Sequence, residues 1–414
     1  MLTAVQDYSW RVPEAHSSSR LIGKRVVFVL AGAVVGGAER NALELAGHVI
    51  DVEGADVEIL ALDDRDGRAR HLAAEAGISW TAVPVPWLGG QRDKALSLVR
   101  FGRELRRRRP DVVVASTNLP NVVAGLTWRL SGAKLCVWNQ CDVLGTVRIG
   151  HSLFRRALSQ TPLVVTTAFH ARDWLVETFG VKRERVHVIY SKVELPEPRE
   201  APTAWRERLG IAPDDLAACM LGHLHVGKDH ATLLRAWRLV VDRLAAEGRR
   251  AVLLLAGRPA GNEDAVKAIA FDLDLREHVR LLGDVDDVSG LLGAVDLAVF
   301  SSRSECLGRG ATEPMFTGLP VVGTDVPGIR EAVGEPGAPF LAAPGDAAGL
   351  ADAILRLARD GELRARVGAA SAGLIRSRQR AEVTTGAYAG LLANALAGGT
   401  AAVPNPQPYA TPAP

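Results

Sequence analysis

Residues 301–330 read SSRSECLGRGATEPMFTGLPVVGTDVPGIR. The run just before them, Val295-Asp296-Leu297-Ala298-Val299-Phe300, predicts a short buried strand, and Gly318 to Gly323 predicts a second. Between the two, Gly308 to Met315 has room for two helical turns. Glu305 then falls on the strand-to-helix loop, and Glu313, eight residues on, falls on the helix. Two carboxylates at the carboxyl end of a parallel strand lie where open α/β sheets bind ligands. The N–H groups of Leu307, Gly308 and Arg309 open the helix and face an anion. Gly308 and Gly310 carry no Cβ, so a ligand can approach the backbone there.

The same alternation extends outward on both sides. Arg25 to Ala31 predicts a buried strand, and Gly36-Gly37-Ala38-Glu39-Arg40 turns it into a helix running through His48. Strands are expected at 56–61, 79–83, 111–115, 134–138, 163–166 and 185–190, with helical patterns between them. After a proline-rich stretch from Glu194 to Thr203, a second α/β half begins at Leu216. Its strands are expected at 217–221, 251–256 and 279–285. Alternation of this kind predicts two doubly wound parallel sheets. The run Arg106-Arg107-Arg108-Arg109 ends a helix, where cations suit the dipole and are ordinarily solvated. Weak contact with a membrane surface is the minority reading.

A chain of 414 residues is long enough for two domains. Its 49 basic and 47 acidic residues leave a net charge of +2, which gives no sign of a nucleic-acid partner. Four cysteines, Cys136, Cys141, Cys219 and Cys306, share no metal-ligand spacing and suggest a reduced, cytoplasmic protein. No apolar run reaches transmembrane length. The first twenty residues lack the order of a signal peptide. Arginine and alanine far outnumber lysine and isoleucine, the bias of a high-GC bacterial gene.

The Glu-x7-Glu spacing at Glu305 and Glu313, followed by G-L-P-V-V-G-T-D-V-P-G, resembles family-4 retaining glycosyltransferases of the GT-B fold (glycogen-synthase or glycosyltransferase group 1 type). The G-G-A-E-R loop at 36–40 is similar to that family's first glycine-rich loop. Residues 222–229, Gly222-His223-Leu224-His225-Val226-Gly227-Lys228-Asp229, resemble its G-R-L-x-x-x-K-G segment, with His223 in place of arginine and Asp229 in place of glycine. Residues 279–285 look like its strand and base-contacting loop.

The resemblance implies two Rossmann-like domains facing across a cleft. They are expected at 24–195 (acceptor side) and 196–380 (donor side), between a flexible leader at 1–23 and a disordered tail at 398–414. A helix at 381–397 is expected to cross back to the first domain. It implies a nucleotide-diphosphate sugar as donor, a UDP-sugar first and GDP-mannose second. The acceptor is expected to be a soluble hydroxyl compound, a small natural product or a sugar.

By the same resemblance Glu313 binds the ribose, Lys228 offsets charge on the leaving diphosphate, and Glu305 with Leu307 and Gly308 holds the donor sugar. Gly283 and Val285 meet the base, Gly37 lies on the facing lip, and Gly222 opens the lysine loop. His223 assists the leaving group when protonated. Asn139, Gln140 and Asp142 stand where the family carries a histidine, and are expected on the acceptor side with Trp138. No cofactor or metal is implied: Asp284-Val285-Asp286-Asp287 resembles a D-x-D site but falls at a helix N-terminus, where acids suit the dipole. The alternatives are another GT-B enzyme, such as a nucleotide-sugar epimerase or a phosphorylase, and an inactive GT-B partner protein.

Overall fold

Apolar runs such as Val26-Val27-Phe28-Val29-Leu30 have no polar face, so both sides must be covered, as in a parallel sheet flanked by helices. The computed structural model, which describes residues 21–87, 90–143 and 149–399, contains two such sheets. The first half runs β1 (Arg25–Leu30), α1 (Gly37–Asp51), β2 (Asp56–Ala61), α2 (Arg68–Glu75), β3 (Ser79–Ala82), α3 (Gln91–Arg108) and β4 (Val112–Ser116). It continues with α4 (Asn118–Thr127), β5 (Leu135–Gln140), α5 (His151–Gln160), β6 (Leu163–Thr166), α6 (Phe169–Phe179) and β7 (Val186–Val188). All seven strands are parallel, in the order β3-β2-β1-β4-β5-β6-β7.

The second half runs α7 (Pro202–Arg208), β8 (Leu216–Leu221), α8 (His230–Ala245), β9 (Ala251–Ala256), α9 (Glu263–Asp272), β10 (Val279–Gly283) and α10 (Val288–Gly293). Then come β11 (Leu297–Phe300), α11 (Arg309–Phe316), β12 (Val321–Thr324), α12 (Pro327–Gly337) and β13 (Leu341–Ala342). Its six strands are also parallel, ordered β10-β9-β8-β11-β12-β13. Each sheet is wound outward in both directions from its middle. The order reverses between β1 and β4 and between β8 and β11, and ligands of such folds bind at these points.

Three helices end the described residues: α13 (Ala347–Arg359), α14 (Gly361–Arg378) and α15 (Thr385–Leu396). The last returns to the first sheet, where Tyr388, Leu391, Leu392 and Ala393 pack with Val26, Phe28, Leu45 and Val49. A separate apolar cluster joins the halves, with Phe169, Val188 and Tyr190 of the first against Cys306, Leu307 and Ala332 of the second. Beside it the Glu331 carboxylate accepts from the Phe169 N–H at 2.8 and 3.0 Å, and so caps α6 from the other half. No helix among the described residues is long and apolar enough to cross a membrane.

Several expected elements fall on their observed bounds, among them β2, β6 and β9. Others depart for local reasons. The proline-rich stretch ends in a helix, because Pro202 occupies its first turn, where a missing N–H costs nothing. The helix α12 hides behind Pro336 and behind Gly334, which breaks its path with φ 55°. Most of the expected leader and tail lie outside the described residues. Leu21, at the leader's end, is fully buried in the first core.

Leu391→Ala empties a fully buried position in the first half's core. The substitution should cost about 2–5 kcal/mol, read as a lower urea midpoint at unchanged slope. An unchanged midpoint would show that α15 does not brace the first half.

Candidate active site

The second half supplies a lysine aimed by its backbone. After β8, a short turn over Val226–Lys228 ends at Asp229, which lies in the left-handed region at φ 48°, ψ 47°. Glycine adopts that conformation at no steric cost, and aspartate is among the residues that tolerate it. Asp229 is held there by Thr232 Oγ1, which donates to it at 2.9 Å, and by Arg303 at 3.2 Å. The turn places Lys228 Nζ 2.5 Å from Glu305 Oε1 and 4.7 Å from the centre of the Phe300 ring. Ser302 Oγ donates to the same Glu305 oxygen at 2.7 Å.

Gly308 begins α11 at φ 74°, and a Cβ there would lie 2.7 Å from Ile329 Cδ1, so the position requires glycine. The N–H groups of Leu307, Gly308 and Arg309 meet no acceptor among the described residues. Gly310 differs from the expectation. A Cβ there would sit 2.2 Å from the Leu221 carbonyl oxygen and 2.6 Å from the Phe300 ring. Its small size lets the helix lie close on the sheet and does not admit a ligand.

The first half supplies the opposite wall. Gly37, in the first turn of α1, faces Arg309, with 3.8 Å between its Cβ position and Arg309 Cβ. Asp142 follows β5 and accepts from Gln140 Nε2 at 2.8 Å and from Asn118 Nδ2 at 3.0 Å. The cavity between the walls measures about 350 Å³. Gly37, Cys141, Asp142, Thr167 and Ser191 line it from one side; His225, Lys228, Glu305, Leu307, Gly308 and Arg309 line it from the other.

Trp138, Asn139 and Gln140 lie beneath this wall, not on it. All three are buried, and Trp138 packs edge-on against Phe154 while donating to Gln140 Oε1 at 2.7 Å. Gln140, itself held by Trp138, supports Asp142 from behind, whereas Asn139 bonds to Asn121 and Ser116. Gly222 and His223 stand back from the cavity, where Gly257 crosses so tightly that its Cβ would lie 2.1 Å from the Gly222 oxygen. Gly283, at φ 66°, faces open space, and Val285 borders a separate hollow with Trp205 and Asp284.

Glu313 is buried, and its Oε1 accepts from Arg309 Nε at 2.7 Å and from Arg40 Nη1 at 3.3 Å. Arg309 also donates to both oxygens of Glu44, at 2.6 and 3.0 Å. Arg40 and Glu44 escaped the sequence reading as site residues, and so did the pairing of the Arg309 side chain with Glu44 and Glu313. A signal was present: Arg40 with Glu44, and Arg309 with Glu313, are four residues apart, on helices that open onto the two facing crevices.

Burial raises the Asp142 carboxyl to about 7, and the neighbouring Glu39 adds to the effect. Burial likewise raises Glu39 itself. His223 is pushed below its ordinary value, first by burial and then by Arg258, with Asp284 opposing. Burial also lifts the Cys141 and Cys306 thiols, which makes them poor nucleophiles. Burial opposes the charge on Arg309, but Glu44 and Glu313 outweigh it and hold the guanidinium protonated. Asp287 caps α10 and accepts from Trp205 Nε1 at 3.0 Å, a structural task. No three His, Cys, Asp or Glu side chains form a cation site among the described residues.

Two doubly wound parallel sheets facing across such a cleft make the GT-B fold. Residues 35–195 match the model of Glycosyltransferase Family 4, and residues 216–360 match that of Glycosyl transferases group 1. The chain therefore belongs to the family-4, group 1 glycosyltransferases. It is 30% identical over 213 residues to the D-inositol 3-phosphate glycosyltransferase of Nocardia farcinica, across 50% of this chain and 47% of that protein. It thus spans about half the length of that relative. The phosphatidyl-myo-inositol mannosyltransferase of Mycobacterium leprae is 26% identical over 362 residues, 83% of this chain and 89% of its own. Anabaena Alr3699/HepE in complex with UDP-glucose shares the fold, with a TM-score of 0.75 at 21% identity over 90% of this chain and 99% of that one.

The raised Asp142 carboxyl gives a pH test. The folded state holds this proton up to about pH 7, whereas the unfolded chain releases it near pH ~4. Stability tied to Asp142 is therefore greatest at low pH and is lost as pH rises between those values. Asp142→Asn removes the titration, so its Tm relative to wild type should climb from about pH 5 to about pH 7 and then level off. A difference that does not vary with pH would place Asp142 in a more solvated setting.

Proposed function

We propose that the protein is a retaining, metal-independent glycosyltransferase that moves a hexose from a UDP-sugar to a hydroxyl of a soluble acceptor, a small natural product or a sugar. The observation that carries this reading is the Lys228–Glu305 pair beside the open N-terminus of α11, in a cavity walled by both halves. The donor's diphosphate is anionic and gains charge as the sugar leaves. Lys228 and the N–H groups of Leu307 and Gly308 stand ready to receive that charge without reorganising. Glu305 has Oε2 free among the described residues to hold a sugar hydroxyl. Glu313 takes the ribose, and main-chain groups near Gly283 and Val285 meet the base. The Anabaena protein of like fold is described with UDP and with UDP-glucose, which favours uridine. Asp142, Thr167 and Ser191 make the acceptor wall polar, as a polyhydroxyl acceptor requires.

Transfer then runs on one face of the sugar. The bond from the anomeric carbon to the β-phosphate oxygen breaks, and the acceptor oxygen bonds from the same side. The acceptor's proton passes to the departing phosphate oxygen, so no separate base is needed. In this role His223 must take up a proton from solvent and keep it through the charge of the bound diphosphate, since the protein around it favours the neutral ring.

Two measurements test the assignment on candidate UDP-sugars. Glu305→Ala should lower kcat on the order of 10²-fold, as loss of a group that acts at the reacting carbon does. Glu313→Ala should instead raise the donor KM about tenfold, because ribose contacts are alike in ground and transition states. Two variants that raise KM alone would refute the roles. Turnover should also persist in EDTA; its loss, with recovery on adding Mg²⁺, would overturn the metal-independent step.

A further inference from the structure

Glu44 lies two turns into α1 and does not line the cavity, yet its carboxylate takes two N–H groups of Arg309 from the other half. Arg309 turns its Nε–H to Glu313 Oε1 and spends a fourth contact, at 3.2 Å, on the carbonyl of Lys192, in the segment that joins the halves. Arg40, one turn before Glu44, reaches the same Glu313 oxygen. The side chains of Arg309, Glu313 and Glu44 are 12%, 9% and 19% exposed and that of Arg40 33%, so the quartet is shielded from water at its centre and open at Arg40. Two acids and two bases leave it without net charge.

A guanidinium is planar, and its five N–H groups point in fixed directions. With Glu44 and Lys192 holding its outer nitrogens, the direction of Nε–H is set. Both lone pairs of Glu313 Oε1 are then engaged, by Arg309 and Arg40, while Oε2 has no partner among the described residues. If the halves part, Glu44 leaves Arg309 and Arg40 leaves Glu313. The two side chains that remain on α11 are then free to pair in other ways.

We propose that Glu44 is a positioning residue for the donor: from the opposite half, and through Arg309, it holds Glu313 by one oxygen and leaves the other for the ribose. The inference rests on the reading of Glu313 as the ribose ligand. It makes nucleotide affinity depend on closure, and by linkage the nucleotide favours closure to the same degree.

The test is titration calorimetry of UDP into the full chain. Glu44→Gln should weaken UDP about tenfold, the loss expected when a charged hydrogen-bond partner is removed. It should raise the donor KM with little change in kcat. Glu313→Gln should weaken UDP as well, and the double variant should be no worse than Glu313→Gln, because both changes break one interaction. Glu44→Met/Arg309→Met replaces the ion pair with apolar bulk, which tends to preserve stability. It should keep its Tm and still bind UDP weakly. Wild-type affinity in Glu44→Gln, or additive losses in the double variant, overturns the inference and leaves the ribose reading standing. Wild-type affinity in Glu313→Gln removes both.

Discussion

A parallel sheet wound in both directions from its middle leaves one gap along its carboxyl edge that no connection covers. This chain makes two such gaps, at β1/β4 and β8/β11, and sets them mouth to mouth. The rest follows from that constraint. The loops that leave the strands at and near these gaps carry Gly37 (after β1) and Asp142 (after β5) on one side, and Lys228 (after β8) and Glu305 (after β11) on the other. Helix N-termini open into the same space, so its background potential suits an anion before any side chain is counted.

The charges then divide by depth. Lys228 stands at the cavity with Glu305 as its tether, whereas Arg309 is largely spent on carboxylates deeper in. Across the gap the wall is acidic, with Asp142 backed by Glu39, and burial holds both carboxyls above their ordinary range. Under the proposed function, one side of the cavity receives the diphosphate and the other the hydroxyl groups. That division suits a transfer in which the leaving group carries the charge and the acceptor arrives neutral.

The two-residue β13 was too short to read, but most strands were legible because they are continuous apolar runs closed by turn residues, as in Leu163–Thr166 and Ala251–Ala256. α12 was not, since proline and glycine mask a helix whose bend the sequence does not announce. Within the site, Lys228 and Glu305 could be proposed from the family resemblance of their segments, and the structure pairs them at 2.5 Å. Trp138 misled because a strand's alternation sends it to the α5 face, against Phe154, away from the loop that follows. The bond between Arg309 and Glu44 spans 265 residues, and only the closing of one half on the other brings them together. Long-range electrostatics of this kind has no period to read.

The return of α15 to the first sheet has a consequence for synthesis. The first half leaves the ribosome early, but the apolar surface of β1 and α1 that Leu391 and Leu392 cover stays bare until the last helix has emerged. Domains tend to fold as units during translation, and exposed apolar surface invites aggregation. Here the first unit is completed by nearly the last residues described, so its hydrophobic face must be shielded through the making of the entire second half.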